Sequence, residues 1–422
     1  MPGSIKKTLT LNDALKITNR KAVSTMVKPV GSLCNLDCSY CYYLDKASLY
    51  DHHQPKMDFK LLEEYIKQYI SANDVPEVTF CWHGGEPLLA GIDYYRRAIA
   101  FQNKYRGSKK IINTLQTNGI LVNNEWCDFF RGNNFLVGVS LDGPKDIHDK
   151  YRRDKRGEPT FDRVMKAVEV MANRGVEYNI LCTVNSMSEG RGAEVYLFLR
   201  SVTRFIQFLP VLEHVARGDN TGKMYIVQPG TEGSEPAPWS VSAKGFGQFM
   251  IDVFNQWIVN DVGRVFVQLF DSTLARWCGL DAGLCSMNET CGEALVVEHN
   301  GDVYSCDHFV YPENKLGNIK TSSIRDMMNI PAQVAFGINK RNSLPGECLR
   351  CRYYFACRGE CPKHRFATTA PGEKGLNTLC EGYKAFFSHV SPYMEFMREQ
   401  LSHLKPPADV ISWARQRLKA SK

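Results

Sequence analysis

From Ala22 onward, short runs of β-branched and aromatic residues alternate with longer stretches whose apolar positions recur at helical spacing. Val23–Val27, Val78–Trp82, Ile111–Thr117, Leu136–Leu141, Tyr178–Val184 and Phe205–Leu209 are predicted strands. Phe59–Ile70, Tyr94–Tyr105, Asn124–Phe130, Phe161–Asn173 and Ala193–Arg200 are the predicted helices between them. Repeated βα units of this kind predict an α/β fold around a parallel sheet. In parallel barrels the loops at the C-terminal strand ends converge on one mouth, so chemistry is sought there.

After Leu209 the periodicity breaks. Arg217–Trp239 is rich in Gly, Pro, Ser and Thr, with Pro229-Gly230 and Pro236-Ala237-Pro238, and reads as a loop or interdomain connection. Ser242–Val262 has the pattern of a long amphipathic helix. Leu295–Cys306, LVVEHNGDVYSC, reads as a strand, an Asn300-Gly301 turn and a second strand, so Cys306 and Asp307 leave a hairpin together. A helix over Tyr383–Leu404, a Pro406-Pro407 break and a short helix over Val410–Leu418 close the chain.

Composition mainly excludes. A chain of 422 residues suggests about two or three domains. With 44% hydrophobic and 23% charged residues it is neither disordered nor fibrous. The net charge of +7 is spread over scattered Lys and Arg, which does not indicate a nucleic-acid partner. Residues 1–22 lack an apolar signal core, and no segment runs ~18 apolar residues, so no membrane span is expected. The 15 cysteines fit a reducing compartment better than a disulfide framework, and the expectation is a soluble cytoplasmic protein.

Lys28–Asp45, KPVGSLCNLDCSYCYYLD, carries Cys34, Cys38 and Cys41 in the spacing C-x3-C-x2-C. Iron-sulfur clusters are normally held by four cysteines, so a compact set of three suggests a cubane with one iron open to substrate or cofactor. Zinc sites pair C-x2-C with a second such pair or with histidines, and neither follows before Cys81. Zinc stays as the lesser reading and chance spacing as the last.

This stretch, with Tyr40 before the last cysteine, resembles the signature of the radical S-adenosylmethionine (SAM) enzymes. The resemblance implies a 4Fe-4S cluster on Cys34, Cys38 and Cys41 whose open iron chelates SAM, within a partial (β/α)6 TIM-type barrel. Trp82-His83-Gly84-Gly85-Glu86-Pro87 resembles the family's GGEP element, which implies that Gly85, supported by Glu86, meets the SAM amino group. Val139-Ser140-Leu141-Asp142-Gly143, followed by His148 and Tyr151-Arg152, implies Ser140 and Arg152 at the SAM ribose and carboxylate; Leu209 would pack on the adenine. Read without the resemblance, Ser140 is a backbone-satisfied serine, Arg152 a surface cation and Leu209 core.

Cysteine density rises again at Cys285, Cys291, Cys306, Cys348, Cys351, Cys357, Cys361 and Cys380, enough for two closed four-cysteine sites. Spacing alone does not reject paired zinc ribbons. The run C-x2-C-x5-C-x3-C from Cys348 to Cys361 resembles the SPASM domain, which binds two auxiliary 4Fe-4S clusters. The resemblance implies Cys285, Cys291, Cys306 and Cys361 on one and Cys348, Cys351, Cys357 and Cys380 on the other, hence three clusters in all. Most of Cys81, Cys127, Cys182 and Cys278 are expected to be buried small hydrophobes. The expected domains are an N-terminal segment 1–22, a barrel 23–240, a linking helical region 241–284, a SPASM domain 285–380 and C-terminal helices 381–422.

Cys306-Asp307, with the cluster loop, GGEP, the strand Phe205–Pro210 and the SPASM spacings, resembles the anaerobic sulfatase-maturating enzymes over nearly the whole chain. That family oxidises Cys or Ser in a C/S-x-P-x-R segment of an unfolded sulfatase to Cα-formylglycine. The implied steps are Cβ hydrogen abstraction by a 5'-deoxyadenosyl radical and proton removal by Asp307 as catalytic base, with electrons from a donor such as flavodoxin or ferredoxin. His83 departs from the Gln that members often carry there, and Tyr42 and Tyr43 are candidates for either substrate contact or packing. The competing expectations are a SPASM maturase that crosslinks a ribosomal peptide and a non-catalytic metal-binding scaffold. The former often carries an N-terminal peptide-recognition domain, for which about twenty residues are too few.

Overall fold

The computed structural model describes residues 10–11, 22–43, 46, 49, 56–217, 224–228 and 231–420. The rest of segment 1–22, Asp45 and Pro229-Gly230 lie outside the described residues. The chain divides into two compact units, one of Met1–Cys34, Lys46–Gln116 and Glu289–Leu344, the other of Asn35–Asp45, Thr117–Asn288 and Pro345–Lys422.

In the first unit, Ser24–Val27 pairs in parallel with Glu77–Trp82, which pairs in parallel with Lys110–Thr117. Apolar positions 61, 62, 65, 66, 69 and 70 form one buried stripe on the helix Phe59–Ser71, whose start is fixed by Asp58 accepting from Leu61 N at 2.8 Å. Its Tyr65 and Tyr69 pack on Phe80 and Trp82 of the second strand, and Trp82 in turn meets Tyr95 of the helix Ile92–Tyr105. Trp82 Nε1 donates to Asn113 Oδ1 at 2.8 Å, so this aromatic core leaves no indole donor unsatisfied.

Ala294–Val297 extends that parallel sheet, with Ser24 opposite Ala294 and Val27 opposite Val297. Asp302–Tyr304 returns antiparallel through the predicted Asn300-Gly301 turn, where Gly301 takes φ 91°, and Lys315–Asn318 adds a further antiparallel strand. The hairpin thereby carries Cys306 and Asp307 to the same unit as the first and second strand ends. The helices Ile324–Asn329 and Pro331–Asn342 were not legible in the sequence.

The second unit holds Phe135–Ser140, Tyr178–Val184 and Phe205–Pro210, parallel in that order, with the two-residue strand Phe266–Val267 added to the last. Helices Asn124–Gly132, Phe161–Asn173 and Gly192–Val202 occur close to their predicted bounds. Two readings need correction. Arg217–Trp239 is no simple loop: His214–Arg217 pairs antiparallel with Met224–Val227 and with Glu235–Pro236. The helix expected over Ser242–Val262 runs Ala243–Ile258, with Ser242 as its cap accepting from Gly245 N at 2.9 Å, and a turn at Gly263 (φ 77°) follows it.

That helix crosses Cys380–Ser402 at bare backbone. A Cβ on Gly247 would stand 2.6 Å from Gly382 Cα, and one on Gly382 would stand 2.1 Å from Ala243 O. Only glycine permits this approach. Among the described residues no helix is long and apolar enough to cross a membrane.

Candidate active site

The three motif cysteines lie on a loop pinned by main-chain bonds. Before Cys34, Gly31 N bonds Lys28 O and Leu33 N bonds Val30 O, both at 3.1 Å. The turn Gly84-Gly85-Glu86 clamps this part of the loop: Gly85 N donates to Gly31 O and Glu86 N to Leu33 O, each at 2.8 Å. A Cβ on Gly85 would fall 2.1 Å from Leu33 O, and Gly84 holds φ +132°, so this backbone contact dictates both glycines. Glu86 is fully buried and spends Oε1 on Leu88 N at 2.9 Å, capping the turn Pro87–Ala90. In the second unit Cys41 N bonds Cys38 O, and Asp37 N and Ser39 N bond Arg153 O and Tyr151 O.

The same unit organises Tyr40 and Arg152 around a residue the sequence did not single out. Asp142 is wholly buried; its Oδ2 accepts from the Tyr40 hydroxyl and from Arg152 Nε at 2.9 Å, and its Oδ1 accepts from Thr183 N at 3.0 Å. Burial opposes the charge, yet Arg152 and His148 hold the carboxyl below the usual carboxylate range. His148 Nδ1 accepts from Asp142 N at 3.3 Å, while Thr160 Oγ1 donates to Arg152 O at 2.8 Å and so accepts from His148 Nε2 at 3.1 Å. That makes His148 the neutral Nε2–H tautomer, and burial pushes it down to about 4. Arg152, with its guanidinium carbon 5.4 Å from the Tyr40 ring centre, is therefore a buried and oriented cation rather than a surface one.

Ser140 closes the strand Phe135–Ser140 half-buried, and Leu209, 40% exposed near the end of Phe205–Pro210, is not core. Tyr43 is buried, its ring 5.8 Å from Tyr42, and Lys363, ion-paired to Glu213, sits over Tyr42 at 4.4 Å.

In the first unit Asp307 directly follows Cys306 in the turn Asp307–Phe309 and pairs with the ammonium of Lys28, a lysine with no exposed side-chain surface. Sequence reading passed over Lys28, because a lysine at a strand end ordinarily faces water. Lys28 Nζ also stands 3.3 Å from His83 Nδ1, which accepts from Gly84 N at 2.8 Å. His83 is thus also a neutral Nε2–H tautomer, pushed down to about 4 by burial and by Lys28. Burial resists ionisation of Asp307, but Lys28, with His83 and His308, holds its carboxyl well below the usual range.

Of the eight later cysteines, Cys348, Cys351, Cys357 and Cys380 line one cavity, together with Tyr353, Tyr383, Phe387 and Lys384. Tyr353 N donates to Cys351 Sγ at 3.4 Å. Burial pushes the thiols of Cys348 and Cys357 up to about 11 and about 12, so they would give up protons to a bound metal and not to water. An aromatic-walled cavity lined by four cysteines offers the donor set that an iron-sulfur cluster takes. In the other implied set, Cys291 and Cys306 belong to the first unit and Cys285 and Cys361 to the second. None of the fifteen cysteines is in a disulfide; Cys127 and Cys182 are buried, Cys81 and Cys278 half-buried.

Residues 29–188 match the radical SAM superfamily and residues 285–352 an iron-sulfur cluster-binding domain of the SPASM type. The serine-type anaerobic sulfatase-maturating enzyme of Bacteroides thetaiotaomicron is 46% identical over 394 residues, 93% of this chain and 95% of its own. The cysteine-type enzyme of Clostridium novyi is 32% identical over 391 residues, 91% and 99% of the two chains. A solved structure described as native anSMEcpe with bound AdoMet and Cp18Cys peptide aligns at TM-score 0.77 and 30% identity, over 90% of this chain and 99% of that one. Streptococcus suis SuiB with its precursor peptide, at 15% identity and TM-score 0.57, shares the fold alone. With this identity over nearly its full length, the chain belongs to the anaerobic sulfatase-maturating enzymes of the radical SAM superfamily.

Proposed function

We propose that this chain oxidises a Cys or Ser in a C/S-x-P-x-R segment of an unfolded sulfatase to Cα-formylglycine, and that Asp307 is its catalytic base. The observation that carries the assignment of Asp307 is its ion pair with buried Lys28 directly after Cys306. The relative at 46% identity is serine-type, which is the ground for naming serine as the preferred target.

We further propose three 4Fe-4S clusters. Cys34, Cys38 and Cys41 would hold one, Cys285, Cys291, Cys306 and Cys361 a second, and Cys348, Cys351, Cys357 and Cys380 a third. When bound, SAM on the reduced first cluster supplies one-electron hydrogen abstraction at the target Cβ. Gly85, Glu86, Ser140, Arg152, Leu209 and Tyr40 would bind and orient SAM: Arg152, buried and fixed through Nε, keeps its terminal amino groups to meet a carboxylate, and Gly85 would meet the amino group.

The protein's own share of the chemistry is proton handling. Oxidising a CH₂OH or CH₂SH group to the aldehyde level removes one hydrogen atom, one proton and one further electron. Asp307, a carboxylate at neutral pH held by Lys28, would accept the hydroxyl or thiol proton once hydrogen abstraction at the adjacent Cβ has made that proton more acidic. Clusters held by the auxiliary cysteine sets would accept the remaining electron, and the cysteine route would end with hydrolysis of the thioaldehyde. A low-potential carrier such as a flavodoxin or ferredoxin would supply the electron that initiates turnover. A reducing, cytoplasmic setting is supported by fifteen cysteines outside any disulfide.

Mass spectrometry of peptides containing C-T-P-S-R and S-T-P-S-R, after anaerobic incubation with reconstituted enzyme, SAM and reductant, tests this reading. Formylglycine registers as an ~18 Da loss from cysteine or an ~2 Da loss from serine, as oxidation at Cβ requires. SAM cleavage with neither loss would reject the substrate assignment.

A further inference from the structure

Lys28 has no exposed side-chain surface, and a lysine is almost never buried that deeply unless its charge is matched. Three elements of the first unit meet on it. Its Nζ pairs with Asp307 from the hairpin that carries Cys306, and stands 3.3 Å from His83 Nδ1 at the end of Glu77–Trp82. Its stem runs beside Gly84, where a Cβ would stand 3.5 Å from Lys28 Cδ. Its own backbone is fixed on both sides: Lys28 N donates to Val297 O at 2.9 Å, and Lys28 O accepts from Gly31 N at the start of the cysteine loop.

An ammonium suits this place. It is a compact charge with three donors, able to serve a carboxylate and an imidazole nitrogen at once, whereas guanidinium would need a broad planar slot. His83 accepts at Nδ1 from Gly84 N–H, and the Lys28 ammonium at 3.3 Å shares that one acceptor.

We infer that Lys28 is a positioning residue for the proton-transfer half of the reaction, holding the Asp307 carboxylate in register with the Gly84-Gly85-Glu86 turn through its shared contacts with Asp307 and His83. The inference rests on Asp307 as the base. Lys28 itself needs no contact with substrate. Hydrogen abstraction does not depend on it, but productive completion does.

The test compares wild type, Lys28→Met, Asp307→Asn and the double variant, all reconstituted, with the serine peptide. Two quantities are read: formylglycine formed per 5'-deoxyadenosine, and the thermal midpoint. Lys28→Met lowers the product ratio about tenfold or more, as misplacement of a catalytic group does, while SAM cleavage persists. The double variant shows a ratio no lower than Asp307→Asn alone, and a thermal midpoint above that of Lys28→Met, because the uncompensated carboxylate is gone.

A wild-type ratio in Lys28→Met overturns the inference. So does a double variant whose ratio drops well below that of Asp307→Asn, since Lys28 would then act elsewhere. If Lys28→Met does not fold, the double variant measured against Asp307→Asn decides alone. A wild-type ratio in Asp307→Asn removes the base assignment itself, and the Lys28 inference with it.

Discussion

Asp142, wholly buried, and Asp307, partly buried, are both carboxylates paired with a cation, and each lies near a neutral histidine that burial has pushed down to about 4. They differ in what surrounds the carboxyl. Asp142 has no exposed side-chain surface, and its oxygens accept from a tyrosine hydroxyl, an arginine Nε and a backbone N–H. Asp307 keeps 13% of its side chain exposed and is paired with the buried ammonium of Lys28. A carboxylate enclosed by three donors fixes its neighbours; one paired with a single cation and retaining an open side can exchange a proton. The first arrangement suits the binding of a cofactor, the second the handling of a proton.

Substitutions can break or sharpen that contrast. The largest effect is expected from Asp307→Asn, which preserves shape but removes the proposed base: formylglycine formation should fall by about 10²–10⁴, the usual worth of positioned acid–base catalysis, with SAM cleavage nearly intact. Asp142→Ala should instead cost the fold about 3–5 kcal/mol, the penalty for stranding the buried Arg152 charge, and weaken SAM binding. Chemical denaturation and SAM titration read those two effects. A variant of Asp142 that left both unchanged would make it no more than a packing residue.

Smaller effects come from outside the two carboxylates. Gly382→Ala forces a methyl into Ala243 O and should destabilise by about 1–3 kcal/mol without changing the product ratio. Scanning calorimetry would register it. His148 predicts a pH dependence. Its folded pKa lies near 4, below the unfolded value of about 6.5, so the unfolded chain binds the extra proton between those pH values. Stability therefore falls as pH drops through that window, by up to ~1.4 kcal/mol per unit, against the opposing pull of Asp142 and Asp149 and with the aid of Arg152. His148→Gln should flatten that part of the stability profile; an unchanged slope would assign it to other groups.

Much of this was legible in the residues, for reasons that also explain what was not. Phe161–Asn173 and Tyr178–Val184 lie where their periodicity put them, because long apolar patterns leave one face to bury. The glycines of Gly84-Gly85 were readable as a site of close approach, although the partner, the backbone of residues 31–33, was not. The small sheet of His214–Arg217, Met224–Val227 and Glu235–Pro236 escaped notice since its strands have four residues or fewer and sit among turn formers. Asp142 in Leu141-Asp142-Gly143 looks like a turn aspartate, and Lys28 like a solvated strand end. Each acquires its meaning from a partner far away in sequence, Tyr40 in one case and Asp307 in the other. Pairing across such distances is invisible to a reading confined to local windows.

The measurement that bears most directly on the contrast is formylglycine formed per 5'-deoxyadenosine, determined side by side for wild type, Asp142→Asn and Asp307→Asn. Asp142→Asn is expected to lower both products together and leave their ratio near that of wild type, while Asp307→Asn collapses the ratio. An Asp307→Asn enzyme that converts peptide at the wild-type ratio would contradict this, and the base would have to be sought elsewhere.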